Sequence, residues 1–457
     1  MFLKRLFTLG PRNLRLLRNS AVPRFQSMMM TRSVSGTSRH PPLRSSTGPP
    51  LASTSLPPSA REFPSEGFQV IDPNDKVEEE RLPFYHRQSY YPMRIGQIVQ
   101  DRFQVIAKLG FGTTSTVWLS RDLITQEYWV LKVYINSLQN IQELKVYQHL
   151  DGFIPDENTI GKPFVRQLQT SFNLRGPYGD HQVFVMKPLG MSLRTLQEFY
   201  IRKDKMFEEN LVTGALDQVL LGLDYLHEAG VVHTDLHSDN LLIDITDDSV
   251  LSNIEEQEVA EPSARKRDTD RSIYVSRYML AGAGSLVNSD LGQAHIGEEH
   301  HGKAMPLPYR APEVILGMPW GNKVDSWSVA LLTWDLLERK SLFTVYDANS
   351  EEQNDAHHLA AMTALLGPPP QEFLQLSKET SKYWDQKGEW HGPVPLPPKT
   401  SLNTLAETLK GRGKENFLDF MDCFLCWLPQ DRLKAHQGYF HPWLREKNGE
   451  SSTLAGS

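Results

Sequence analysis

The sequence predicts an α+β chain, strand-rich in its first part and helical from about residue 192. Three observations predict it. Between residues 103 and 135 apolar side chains alternate, with Val117, Leu119, Trp129, Leu131 and Val133 at the period of half-buried strands. From about residue 192 the apolar period becomes that of a helix, and Leu211 to His227 is its longest run. The 457 residues, 39% hydrophobic and 23% charged, suffice for two lobes and extensions.

Residues 1–33 read as a mitochondrial presequence. Wound as a helix, they place Leu3, Phe7, Leu14 and Leu17 opposite Lys4, Arg5, Arg12 and Arg15, although Gly10 and Pro11 interrupt it. A disordered basic tail, or a start codon placed too early, is the alternative. Residues 34–65, rich in Ser, Pro and Thr, read as a disordered linker. Residues 66–102 form an N-terminal extension holding Glu78-Glu79-Glu80-Arg81-Leu82-Pro83 and Tyr90-Tyr91-Pro92. The first lobe covers 103–190, with strands at about 103–109, 116–121 and 127–135 and a helix at about 137–150 capped by Asn136 or Ser137. The second lobe covers 191–444 and carries an insertion at 244–286, acidic at Glu255, Glu256, Glu258 and Glu261, then basic at Arg265, Lys266 and Arg267. That insertion reads as a solvated surface loop or a docking element. Residues 445–457 are a short polar tail.

Charge and cysteines exclude several classes. Residues 1–61 hold ten Lys or Arg and no Asp or Glu, so the remainder carries 38 basic against 55 acidic side chains, a balance of −17. A surface this acidic does not bind nucleic acid by bulk charge; it either favours basic peptides or serves solubility alone. Cys423 and Cys426 make no disulfide framework, and their place inside the apolar run from Phe417 to Leu428 reads as mid-helix packing rather than a redox motif. No apolar stretch is long enough to span a bilayer.

The chemistry lies in one loop, Val232-His233-Thr234-Asp235-Leu236-His237-Ser238-Asp239-Asn240, and in Asp290-Leu291-Gly292 fifty residues after Asn240. An Asp that orients a hydroxyl, an Asn five residues on and a second Asp for a metal are what phosphoryl transfer asks of a protein. Neither string is decisive alone. Their order with other strings is: upstream stand Leu109-Gly110-Phe111-Gly112-Thr113-Thr114-Ser115-Thr116-Val117 and Val130-Leu131-Lys132-Val133; downstream stand Tyr309-Arg310-Ala311-Pro312-Glu313, Asp325-Ser326-Trp327-Ser328 and Pro429-Gln430-Asp431-Arg432. With these the chain resembles the eukaryotic protein kinase family over about residues 100–445. The finer pattern resembles SR protein kinases, particularly fungal relatives. It comprises Tyr91-Pro92 with Ile95-Gly96, Lys108 to Gly112, Ser115 to Leu119, His233-Thr234-Asp235, His358-Leu359-Ala360 with Leu365-Leu366-Gly367, and His441-Pro442-Trp443-Leu444.

The resemblance implies a bilobal protein kinase-like fold and a serine/threonine kinase that uses ATP and Mg²⁺ on basic, Arg/Ser-rich proteins. It implies a monomer that works in cytoplasm or nucleus unless the presequence sends it to mitochondria. Leu109 to Val117 would cover the ATP phosphates, with Gly110 and Gly112 bare of Cβ and Ser115 in place of a third glycine. Lys132 would hold the α and β phosphates and pair with Glu143. Met186 would be the gatekeeper, and backbone groups of Lys187 and Leu189 would bond adenine. Asp235 would be the catalytic base; Asn240 and Asp290 would hold the metal. His237 stands in place of a Lys that contacts the γ-phosphate, a weaker and pH-dependent substitute. His233 would pack under the loop, Asp325 would brace it, and Glu313 would pair with Arg432. Thr234 replaces the usual Arg, and Asp290 to Pro308 hold no Ser, Thr or Tyr, so activity without an activating phosphate is expected, Tyr309 excepted. His357 and Ala364 occupy positions where the family docks basic repeats on acidic residues. A non-catalytic binding module, and a small-molecule kinase with a similar Asp-Leu-His loop, are the competing readings.

Overall fold

The computed structural model describes residues 60–445 except 158 and 269; the expected presequence, most of the linker and the polar tail after Arg445 lie outside the described residues. The smaller lobe is built on a six-stranded antiparallel sheet. Its order is Ile98–Val99, β1 (Phe103–Phe111), β2 (Ser115–Asp122), β3 (Tyr128–Tyr134), β5 (Gly179–Met186) and β4 (Thr170–Gly176). Trp118 pairs with Leu131, and with Val105, Val133, Val183 and Val185 it forms one buried face, whereas Val117 stands opposite Lys132 and Leu119 packs on the other face with Ile106 and Ala107.

The helix expected at 137–150 is α1, Gln142–Asp151, which starts four to five residues late. Asn136 does not cap it. Its side-chain amide donates to the carbonyls of Gln88 and Tyr178, and Asn140 takes a left-handed φ of +59° that ends any earlier turn.

The larger lobe is helical. The long helix α2, Glu209–Glu228, buries Val212, Leu216, Val219, Leu220, Leu223 and Leu226 along one stripe. A later helix, Lys323–Leu337, is apolar nearly all round because nearly all of it is buried. The helix Gly411–Phe424 ends two residues before Cys426, so the two cysteines straddle a helix end instead of lying mid-helix. Both are half-buried free thiols whose pKa burial pushes up, which removes the redox reading. Among the described residues no helix is long and apolar enough to cross a membrane.

The insertion is not a solvated loop. It forms a helix, Ser249–Ala260, and two strands, Arg265–Arg267 and Ser272–Tyr274, which join Val70–Ile71 of the N-terminal extension in a three-stranded sheet. Leu251, Ile254 and Met279 pack on Ile106, Ala107 and Leu119 of the small lobe, along with Phe63. The acidic run is inward. Glu255 accepts from Tyr128 Oη at 2.6 Å and faces Arg121 and Arg61, while Glu258 binds Ser263, Arg265 and Arg277. Residues 60–65, expected to belong to the linker, share this packing: Arg61 exchanges two hydrogen bonds with the Gln104 side chain.

Candidate active site

The catalytic loop is held by its neighbours rather than by regular structure. Val231–Val232 pairs with His295–Ile296, and Leu241–Asp244 pairs antiparallel with Leu286–Asn288. That hairpin closes the fifty-residue gap, since Ser289 N–H donates to the Asn240 carbonyl at 2.8 Å and delivers Asp290 beside Asn240. Buried Asp325 accepts the N–H groups of His233 and Thr234, both at 2.8 Å. Burial opposes its charge, but His227 and these donors outweigh it and hold the carboxyl below its usual range. His233 is fully buried under the loop. Thr234 takes φ +63° and donates its hydroxyl to the Gln293 carbonyl at 2.8 Å, so the residue in place of Arg ties the loop to the segment after Asp290.

Within the loop, Asn240 Nδ2 donates to the Asp235 carbonyl at 2.8 Å and to Asp235 Oδ2 at 2.9 Å. His237 Nε2 lies 3.4 Å from Asp235 Oδ1, and its Nδ1 lies 3.6 Å from Asp239. Burial disfavours the charged ring, but Asp235 and Asp239 outweigh it and push its pKa up to about 9. The two carboxylates thus favour the charged form of the ring.

Across the cleft Lys132 projects from β3, paired in register with Val117 and Phe184. Its Nζ lies 2.6 Å from Glu143 on α1 and 3.4 Å from Asp290. Glu143 is buried and also accepts the Tyr134 hydroxyl. Burial lowers the ammonium pKa, but the two carboxylates outweigh it and leave it raised; Lys132 in turn holds Asp290 below its usual range. Gln142 donates to the Ala294 carbonyl, which ties the start of α1 to the segment after Asp290.

The glycine-rich turn joins β1 to β2, with Gly112 N–H donating to Ser115 O at 2.8 Å. A Cβ at Gly110 or Gly112 would meet no protein atom within 4 Å, so the chain's own packing does not require glycine there. Met186 is buried at the end of β5. The Lys187 carbonyl accepts Arg166 Nη2 at 3.0 Å, and Leu189 starts a short strand beside Asp244. Arg166, Tyr134 and the Thr234–Gln293 bond are absent from the sequence reading, and no local pattern marks them.

Downstream, the segment after Asp290 is pinned without a phosphate. His300 and Trp320 exchange backbone hydrogen bonds of 2.8 and 2.9 Å, and their rings lie 4.9 Å apart. Tyr309 is buried with its hydroxyl on Asp335 at 2.8 Å, which removes it as an exposed acceptor. Arg310 lies 2.8 Å from Glu351 and 3.4 Å from Asp355. Arg432 grips Glu313 by two bonds of 2.6 and 2.7 Å.

The family description "Protein kinase domain" matches residues 103–444. A serine/threonine protein kinase of Aspergillus fumigatus is 41% identical over 383 residues, covering 82% of this chain and 93% of that one. The serine/threonine-protein kinase SRPK of Physarum polycephalum is 28% identical (81% and 92% covered), and protein kinase dsk1 of Schizosaccharomyces pombe is 27% identical (81% and 86%). The solved kinase domain PF14_0431 overlays with a TM-score of 0.59 at 22% identity, covering 78% of this chain and 99% of that one, a likeness of fold. The chain thus belongs to the protein kinase family, as a serine/threonine protein kinase of the SR protein kinase-like kind.

Proposed function

We propose that this enzyme transfers the γ-phosphoryl group of ATP, with Mg²⁺, to Ser or Thr of basic proteins. The observation that carries the reading is one cluster: Lys132 stands 2.6 Å from Glu143 and 3.4 Å from Asp290, and the strand hairpin brings Asp290 beside the Asp235–Asn240 pair. The donor set fits the ligands. Asn240 spends its amide nitrogen on Asp235, which leaves its oxygen, with the Asp290 carboxylate, for a hard cation. The open space at Gly110 and Gly112 suits phosphates approaching the backbone.

Bound there, Mg²⁺ supplies charge that offsets the crowded phosphate oxygens. Lys132 orients the α and β phosphates. Asp235 orients the acceptor hydroxyl and takes its proton as the oxygen bonds to the γ phosphorus and the bond to ADP breaks. The His237 cation, kept charged by Asp235 and Asp239, balances charge on the transferred group.

Likeness to the SR protein kinases supports Arg/Ser-rich proteins as substrates, and two features narrow the mode. The Asp239 side chain is 63% exposed beside the base and offers a carboxylate to a basic residue near the acceptor. Of the two positions where docking acids are expected, Ala364 is buried and His357 stacks on Tyr346, and Glu351 and Asp355 at the start of the same helix are engaged by Arg310. Recognition therefore rests on basic residues flanking the serine more than on a docked repeat. Phosphate incorporation into an Arg/Ser-repeat peptide, a singly basic serine peptide and an acidic peptide tests this, with Asp235→Ala as control. An equal rate on the acidic peptide would overturn it. Mitochondrial import directed by residues 1–33 is a separate proposal, tested by tagging residues 1–40 with a fluorescent protein.

A further inference from the structure

The tip of the glycine-rich turn is held from outside by a tyrosine of the N-terminal extension. Tyr90 Oη donates to the Gly112 carbonyl at 3.0 Å and to the Thr113 carbonyl at 3.1 Å. A trans peptide unit points its N–H opposite its C=O. Two carbonyls drawn toward Tyr90 therefore turn the N–H groups of Thr113 and Thr114 away from it. These are the backbone donors that a glycine-rich turn offers to phosphates.

Tyr90 is itself fixed. It is buried, and its ring lies 5.2 Å from that of Tyr85. Burial first, then Glu79, pushes its phenol pKa up to about 12, so it remains a donor at any working pH. Its backbone carbonyl accepts Arg271 Nη1 at 3.3 Å, and the same guanidinium holds the Arg87 carbonyl. Arg87 is clasped by Asp268 at 2.8 Å and by Asp270. Asn136, just past the strand that carries Lys132, binds the backbone at Gln88 and Ser89 at 3.0 Å. The grip thus runs from the insertion, through Arg87 to Tyr90, to the phosphate-facing turn.

We propose that Tyr90 is a positioning residue for ATP: its hydroxyl orders the tip of the glycine-rich turn so that the Thr113 and Thr114 amides face the phosphates, and the 244–286 insertion holds it in place. This rests on the kinase reading above. A free turn of this composition samples many conformations, and ordering it in advance removes that entropy from nucleotide binding.

The test is Tyr90→Phe in the full chain, which deletes one oxygen and keeps the ring. Expected are a KM and Kd for Mg-ATP raised about three- to tenfold, with kcat and the peptide KM within about twofold of wild type, the mark of lost binding rather than lost chemistry. The thermal midpoint without nucleotide should be unchanged, and the upward shift given by Mg-ATP should shrink. Mg-ATP constants equal to wild type overturn the proposal. So does a lowered nucleotide-free midpoint together with a rise in both KM values, which is what a merely structural residue gives. A wild-type protein that neither binds Mg-ATP nor transfers phosphate overturns the kinase reading and this proposal together, whereas wild-type activity with an unaffected Tyr90→Phe overturns this proposal alone.

Discussion

Arg432 and Glu313 meet as a two-pronged ion pair with neither side chain more than 2% exposed. Arg432 also lies over the Trp327 ring at 4.9 Å and donates to the Cys426 carbonyl, so it cannot swing to water when its partner is lost. Glu313→Gln should therefore cost about 3–5 kcal/mol in urea unfolding, mostly as an unpaired buried charge. Replacing both residues with apolar side chains of like volume should recover much of that loss. A Glu313→Gln protein as stable as wild type would show that the pair does not brace the fold.

Activity should be independent of activating kinases. The segment from Asp290 to Pro308 contains no hydroxyl side chain, and the next tyrosine, Tyr309, is buried on Asp335. Glu351 and Asp355 already give Arg310 the negative partners that a phosphate would provide. Incubation with upstream kinases, or with phosphatase, should leave the rate unchanged. A large gain after kinase treatment would point to a phosphate site elsewhere.

His237 sets a pH limit. Its folded-state pKa of about 9 lies above the ordinary 6.5. The stability it contributes is fully present below 6.5 and is lost as pH rises through about 9. Turnover should follow the same limb, holding through neutrality and falling near pH 9. His237→Lys should keep turnover near wild type through neutrality and move the limb to higher pH. His237→Gln should lower kcat roughly tenfold and abolish the limb. A lower turnover in the Lys variant would assign the ring some role other than charge.

The strands and the catalytic loop were legible because their signals are local. Alternation marks β1 to β3, and fixed spacing marks Asp235, Asn240 and the glycines. Glu143 was legible for a subtler reason, as an acid on a short helix that turns Ile141, Leu144 and Leu150 to the core. The insertion was misread because its charges resemble a solvated face. Glu255 is neutralised by Arg61, Arg121 and Tyr128, each more than a hundred residues away, and sequence order carries no trace of that. Thr234 was seen as a missing Arg, but not as a donor to Gln293, because only the fold brings that carbonyl near. The low starting point of α1 depended likewise on two distant carbonyls that take the Asn136 amide.

The insertion should behave as part of the small lobe. Glu255 is 2% exposed, accepts the Tyr128 hydroxyl at 2.6 Å and lies 3.3 Å from Arg121, so it links the helix Ser249–Ala260 to β2 and β3 by charge as well as by the Leu251 and Ile254 contacts. Glu255→Ala removes the acceptor and leaves Arg121, whose side chain is 18% exposed, facing an apolar methyl group. Part of that charge stays wet, so the cost should be about 1.5–3 kcal/mol rather than that of a sealed pair. Hydrogen exchange locates the effect. Amides of residues 249–260 should exchange faster, while those of α2, Glu209–Glu228, which lie in the other lobe's core, should keep wild-type protection. Faster exchange in α2 alone, or in neither helix, would mean that the insertion does not draw its order from the small lobe through Glu255.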